Sequence, residues 1–231
     1  MNDIGKSERA TQNRVITLFR DELKYDFLDD WSERENNRNI EDALLGDWLA
    51  RRGCKSAQIS RALDVLKREA NNPTRGLYEN NKAVYSLLRY GVPTKVEGDK
   101  VTKTVRLIDW EHPAQNDFAL AEEVTLRGGH ERRPDLVLYV NGIAVGVIEL
   151  KRSSVSIGEG IRQLLSNQQA EFNAGFFSTV QIVFAGSDSE GLRYGAILTP
   201  ENSSSNGRKM RATTVATSST SICSNCATSS V

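Results

Sequence analysis

Residues 132 to 152 read Arg132-Arg133-Pro134-Asp135-Leu136-Val137-Leu138-Tyr139-Val140-Asn141-Gly142-Ile143-Ala144-Val145-Gly146-Val147-Ile148-Glu149-Leu150-Lys151-Arg152. Two apolar runs joined by Asn-Gly spell a β-hairpin, with polar residues only at its ends. Side chains two apart on a strand share a face, so Glu149 and Lys151 emerge together while Leu150 points the other way. Asp135 stands at the outer end of the partner strand. The hairpin therefore brings two carboxylates and an amine to one end of a sheet, where they can hold a hard cation and a water. The spacing is Pro134-Asp135, a spacer, then Glu149-Leu150-Lys151 at the end of an apolar strand.

Register decides whether that constellation can form. A plain two-residue turn at Asn141-Gly142 pairs Asp135 with Ile148 and turns Asp135 away from Glu149. A three-residue loop of Val140, Asn141 and Gly142 pairs Asp135 with Val147 and puts Asp135, Glu149 and Lys151 on one face. The sequence reading predicts that loop, or a bulge with the same effect.

Outward from the hairpin, the period of two continues. Strands are expected at Val101 to Ile108, Phe118 to Leu126, Thr179 to Ala185 and Leu192 to Ile197, with one helix from Ile157 to Asn173 between them. That helix turns Ile161, Leu164, Leu165 and Phe172 to the sheet and leaves Gln163 one position off the stripe, at the Lys151 end. There it can orient the lysine or touch a phosphate. Before residue 92 the period is helical: Ser7 caps a helix over 7 to 24 with Val15, Leu18, Phe19 and Leu23 on one face, and amphipathic segments follow at 40 to 52, 56 to 70 and 76 to 90. Asp26 to Trp31 reads as a connection. The fold class is α/β, a mixed sheet flanked by helices with an N-terminal helical layer, in one domain over 1 to 200 (helical layer 7 to 91, sheet core 92 to 200).

The chain carries 30 basic and 30 acidic residues. With no overall basic footprint, any nucleic-acid binding must come from local groups such as Arg132, Arg133, Lys151, Arg152 and Arg162. No apolar run reaches the ~18 residues of a membrane span, and no secretory segment opens the chain, so a cytoplasmic protein is expected. Cys54, Cys223 and Cys226 make neither a disulfide framework nor a zinc site, because further soft ligands are remote. Asp109-Trp110-Glu111-His112-Pro113 reads as an anchored turn. Glu122 and Glu123 straddle a strand, so one of them faces the interior or the cleft. Ser and Thr supply 14 of the 29 residues from Ser203 to Val231, the composition of a disordered tail.

Pro134-Asp135 with Glu149-Leu150-Lys151 resembles the PD-(D/E)xK nuclease signature, which implies a restriction-endonuclease-like fold. Longer stretches resemble the N-terminal region of the restriction (R) subunit of type I restriction-modification enzymes: the hairpin itself, Val105-Arg-Leu-Ile-Asp-Trp-Glu111 and Gly191-Leu-Arg-Tyr-Gly195, within a likeness running from about Ser7 to Pro200. The resemblance implies an Mg²⁺-dependent endonuclease that works with modification and specificity subunits, and a following motor that consumes ATP. It implies Asp135, Glu149 and the Leu150 carbonyl as metal ligands, Lys151 as the third catalytic group, and Gln163 and Glu8 in support. The family's Gln-x-x-x-Tyr element is incomplete, since Asn167 stands at the tyrosine position. No Gly-x-x-x-x-Gly-Lys-Ser/Thr loop occurs in the chain. Residues 204 to 211 and 218 to 228 can be encoded by DNA that, read two bases later, continues the family sequence, so the tail after about Ser203 is expected to be out of frame and the chain a truncated R subunit. The rival readings are a non-catalytic DNA-binding or assembly module and a stand-alone repair or resolvase-type nuclease.

Overall fold

The computed structural model describes residues 8–95 and 101–206. The Ser7 cap, Cys223 and Cys226, and the part beyond Asn206 of the tail expected to be out of frame lie outside the described residues. In chain order the elements are α1 (Glu8–Thr17) with a π-type turn (Leu18–Glu22), β1 (Asp26–Asp30), α2 (Asp42–Arg51), α3 (Ser56–Ala70), α4 (Leu77–Tyr90), β2 (Val92–Thr94), β3 (Lys103–Val105), β4 (Phe118–Glu122), β5 (Leu126–Arg127), β6 (Glu131–Arg132), β7 (Leu136–Val140), β8 (Ile143–Lys151), α5 (Ile157–Asn167), α6 (Ala174–Phe177), β9 (Ile182–Ser187), β10 (Gly191–Gly195) and β11 (Ser205–Asn206).

Seven strands form one mixed sheet in the order β1-β4-β7-β8-β9-β10-β11, with β1–β4 and β8–β9 parallel and the other pairs antiparallel. β7 and β8 lie at its centre, which explains why they are apolar at nearly every position: helices cover both faces. On one face Val137, Tyr139 and Val147 pack against Ile157, Ile161 and Leu164 of α5 and against Phe176 and Phe177 of α6. On the other, Leu136, Leu138, Ile148 and Leu150 meet Ile16, Val15 and Phe19 at the N-terminal helix. α2, α3 and α4 form a third core with Ile143, Val105 and Leu107 at the turn end of the hairpin. Each aliphatic side chain buried in these cores is worth about 1.5–3 kcal/mol. α3 ends where its pattern ends, and α5 opens on Ser156, whose Oγ accepts the Gly158 amide at 3.2 Å.

The hairpin register resolves the question posed by the sequence. The loop is not three residues long: Val140 pairs with Ile143 across a two-residue turn in which Asn141 and Gly142 have φ of 53° and 80°. The compensation comes further along. Tyr139 pairs with Ala144 but Leu138 with Gly146, so Val145 is an extra residue on β8, a β-bulge. Beyond it Leu136 faces Ile148, and the next step sets Asp135 opposite Glu149. The Val145 carbonyl accepts the Gln181 amide at 2.9 Å, so the start of β9 holds the bulge.

Four other expectations are corrected. Asp26 to Trp31 is mostly a strand, β1, paired in parallel with β4; its acidic residues mark a sheet edge, not a turn. The predicted strand from Val101 to Ile108 contracts to Lys103–Val105, because Leu107 and Ile108 turn into the third core instead of pairing. The helix expected to reach Asn173 stops at Asn167, where the chain turns into α6. Leu18 and Leu23, assigned to the inner face of the first helix, are exposed because the π-type turn rotates them outward.

Candidate active site

At the open end of the hairpin, Asp135, Glu149 and Lys151 line a cleft of about 410 Å³ together with Glu8, Arg9 and Gln12 of α1, Glu123, Arg133, and Gln163 of α5. The bulge fixes the face of the three hairpin residues, and α5 packs over them at Gly160. A Cβ at Gly160 would lie 3.4 Å from the Lys151 Cγ and 3.8 Å from the Glu149 Cγ.

Glu149 is 1% exposed. Its Oε1 accepts the Lys151 ammonium at 2.7 Å, and its Oε2 is buried with no partner. Asp135 Oδ2 accepts the Leu150 amide at 2.5 Å, while the Asp135 carbonyl accepts the Glu123 amide at 2.8 Å. Lys151 Nζ also donates to the Leu150 carbonyl at 3.2 Å and stands 3.7 Å from Glu8 Oε1. One ammonium thus gathers two side-chain carboxylates and a main-chain carbonyl around it.

Burial dominates the electrostatics. It pushes the Glu149 carboxyl up to about 8, with the negative charge of Asp135 adding to the effect and Lys151 opposing it. Asp135 is likewise pushed up, to about 6, by burial; the Leu150 hydrogen bond and Lys151 resist. For Lys151 burial acts downward, but Glu149, Asp135 and Glu8 together outweigh it and raise its pKa. The amine is therefore a firmly held cation at neutral pH, suited to donating hydrogen bonds and not to accepting a proton.

Gln163 and Glu8 reach the cleft as the sequence predicts. The four arginines separate. Arg133 lines the cleft and pairs with Glu123 at 2.9 Å. Arg132 stacks over Phe172, 4.1 Å from the ring centroid, Arg162 pairs with Glu201 at 2.9 Å, and Arg152 is exposed beside the site. None of those three lines the cleft. Asn167 is fully buried in α5 with neither side-chain polar atom partnered, and it too lies away from the cleft lining.

Of the two strand-straddling acids, Glu123 faces the cleft and Glu122 is buried beneath α1. Sequence reasoning passes over the partner of Glu122, Arg9, whose guanidinium grips both Glu122 oxygens at 2.9 and 3.1 Å. The only available signal is its place next to Glu8 in the first turn of α1. Asp109 accepts the amides of Glu111 and His112, and so organises the turn expected at that motif. Among the described residues no group of three or more His, Cys, Asp or Glu side chains is placed to hold a metal, and no helix is long and apolar enough to cross a membrane.

Comparison with known proteins bears on this geometry. A family described as type I restriction enzyme R protein N terminus matches residues 5–203. The putative type I restriction enzyme MjaIXP endonuclease subunit of Methanocaldococcus jannaschii is 35% identical over 96 residues, 39% of this chain and 9% of that protein. The type I restriction enzyme HindI endonuclease subunit of Haemophilus influenzae is 34% identical over 91 residues, 38% of this chain and 9% of the relative. A longer match, 27% over 155 residues, is to the SsaAORF53P endonuclease subunit of Staphylococcus saprophyticus and covers 67% of this chain and 15% of that one. Each match takes in only a small part of a much longer relative.

Proposed function

Because the chain belongs to the family of type I restriction enzyme R protein N termini, we propose that the cleft beside α1 is the DNA-cutting site of a type I restriction-modification system. The observation that carries the reading is Glu149, a carboxylate buried with one oxygen unpartnered on the face it shares with Asp135 and Lys151. An unsatisfied buried acid facing a second acid costs stability, so its presence points to a ligand and not to the fold.

That ligand fits the description of Mg²⁺, which takes oxygen donors and keeps several of its own waters. Asp135, Glu149 and the Leu150 carbonyl would hold it. When bound, the ion supplies Lewis-acid polarisation of a phosphate and a more acidic water. Lys151 keeps its proton, holds the attacking water through its ammonium, and offsets the charge that builds on the scissile phosphate. Gln163, which lines the cleft from α5, orients Lys151 or takes a phosphate oxygen. Arg133, at the cleft edge, takes a neighbouring phosphate of double-stranded DNA, with Arg132, Arg152 and Arg162 as more distant backbone contacts. Glu8 supports the cluster from α1. In this reading the protein works in the cytoplasm with modification and specificity subunits, and the ATP-driven motor belongs to a full-length R subunit. We also propose that the segment after about Ser203 is out of frame, which the second reading frame of the gene tests directly.

The deciding experiment is cleavage of supercoiled DNA with and without Mg²⁺, by the chain alone and in an assembled restriction complex. Metal-dependent nicking that disappears in Lys151→Ala is the expected result. Wild-type cutting by Lys151→Ala would remove the assignment and leave a DNA-binding or assembly module.

A further inference from the structure

α1 meets the sheet through polar groups as well as apolar ones. Thr11 Oγ1 donates to Asp188 at 3.0 Å, Arg14 pairs with the same aspartate, and Arg9 grips Glu122. Gln12 is the member of this set that reaches the Asp135 main chain. It is 2% exposed, and its Nε2 faces three oxygens: Glu123 Oε1 at 3.0 Å, Glu122 Oε2 at 3.4 Å and the main-chain carbonyl of Asp135 at 3.4 Å. A buried amide aimed at two carboxylates and a carbonyl supplies hydrogen where every neighbour has only lone pairs. Asp135 is then located from three directions: by the Leu150 amide on β8, the Glu123 amide after β4, and Gln12 on α1. Gln12 stands one turn from Glu8, so the same helix that fixes Asp135 also sets Glu8 beside Lys151.

We propose that Gln12 is a positioning residue for the cut, holding the Asp135 main chain and Glu123 in register with α1. The inference rests on the nuclease reading of the cleft. Displacing a reacting group by about 1 Å can cost ~100-fold in rate, so a donor that touches neither DNA nor metal still matters.

The test uses Gln12→Glu, which keeps the shape but removes the donor, and Gln12→Met, which removes all polarity. Native-state hydrogen exchange reads the Leu150 and Glu123 amides, which bond to Asp135, with the Asp117 amide at the far end of the hairpin as control. Exchange at Leu150 and Glu123 is expected to speed up by about 10-fold or more while Asp117 stays at its wild-type rate. Cutting at saturating DNA and Mg²⁺ falls about 10- to 100-fold with the DNA half-saturation point within twofold of wild type. Unchanged Leu150 and Glu123 exchange overturns the proposal whatever the cutting rate. So does equal acceleration at Asp117, which would make Gln12 a general strut, and so does a loss of cutting matched by weaker DNA binding. If the wild-type chain itself fails to cut in the complex, the nuclease reading falls while the exchange result still reports on Gln12.

Discussion

The two ends of the β7–β8 hairpin are equally buried and treat their polar atoms in opposite ways. At the turn, Asn141 is fully buried and fully paired: its amide donates to the Asp117 carbonyl, its Oδ1 accepts the Asp117 amide, and its Nδ2 reaches the Leu107 carbonyl and Asn116 Oδ1, all at 2.8–2.9 Å. At the other end Glu149 has one oxygen with no partner, a second acid opposite and a single cation shared among several acceptors. The same two strands thus present one terminus satisfied for stability and one left wanting. The lesson is that neither burial nor an unpartnered atom alone marks a site, since buried Asn167 has two such atoms and lies off the cleft; a buried unpartnered carboxylate beside a second acid and a cation does.

Substitutions can break this contrast from either side. The largest effect is expected at the cleft, where Lys151→Ala should reduce cutting by about 10³-fold or more, near 4 kcal/mol in the barrier, in a protein that still folds. Asn141→Ala is the mirror image. It strands the Asp117 amide and the Leu107 carbonyl and leaves alanine at positive φ, so a loss of about 3 kcal/mol is expected in denaturant unfolding, with the cutting rate of the folded protein within twofold of wild type. If Asn141→Ala instead lost cutting without losing stability, the division of labour between the ends would be wrong.

Acidity sharpens the contrast further. Asp135 and Glu149 have folded pKa values raised to about 6 and about 8, above their ordinary values near 4. Their contribution to stability is fully present below about pH 4 and is lost as pH rises through about 6 and then 8. Lys151, whose pKa is also raised, keeps its contribution through that window and loses it only in strong alkali. Metal-free protein should therefore lose several kcal/mol of stability between pH 4 and pH 9, and Glu149→Gln should flatten much of that slope. Unfolding titrations at fixed ionic strength measure it, and identical slopes in the two proteins would contradict the burial account. The smallest effect belongs to a surface pair near neither end: Arg162→Ala, which removes the contact to Glu201, should cost under ~1 kcal/mol.

How much of this could be read from the sequence depends on how local each cause is. α3 is legible because its apolar period and the breaks that flank it lie within the segment. The shared face of Glu149 and Lys151 follows from strand geometry alone. The bulge at Val145 does not, since the Gln181 amide that holds it lies 36 residues further along the chain and no local residue signals it. β1 is hidden for a related reason: a short acidic strand at a sheet edge looks like a turn until its parallel partner is known. Arg9 and Gln12 are hidden because a polar helix face is ordinarily a wet one, and here it meets Glu122, Glu123 and the Asp135 carbonyl instead. Gln163 could be placed by its helix position, whereas the pairing of Arg162 with Glu201 depends on a chain reversal some 39 residues away.

The bulge also gives the hairpin a parity, and parity has a genetic consequence. Between Pro134 and Glu149 the number of residues matters modulo two, because each one added or removed turns Asp135 to the opposite face. Single-codon insertions and deletions in that stretch should score as loss-of-function alleles even where the product accumulates normally. A second indel of opposite sign within the same stretch should act as an intragenic suppressor, and substitutions elsewhere in the chain should not.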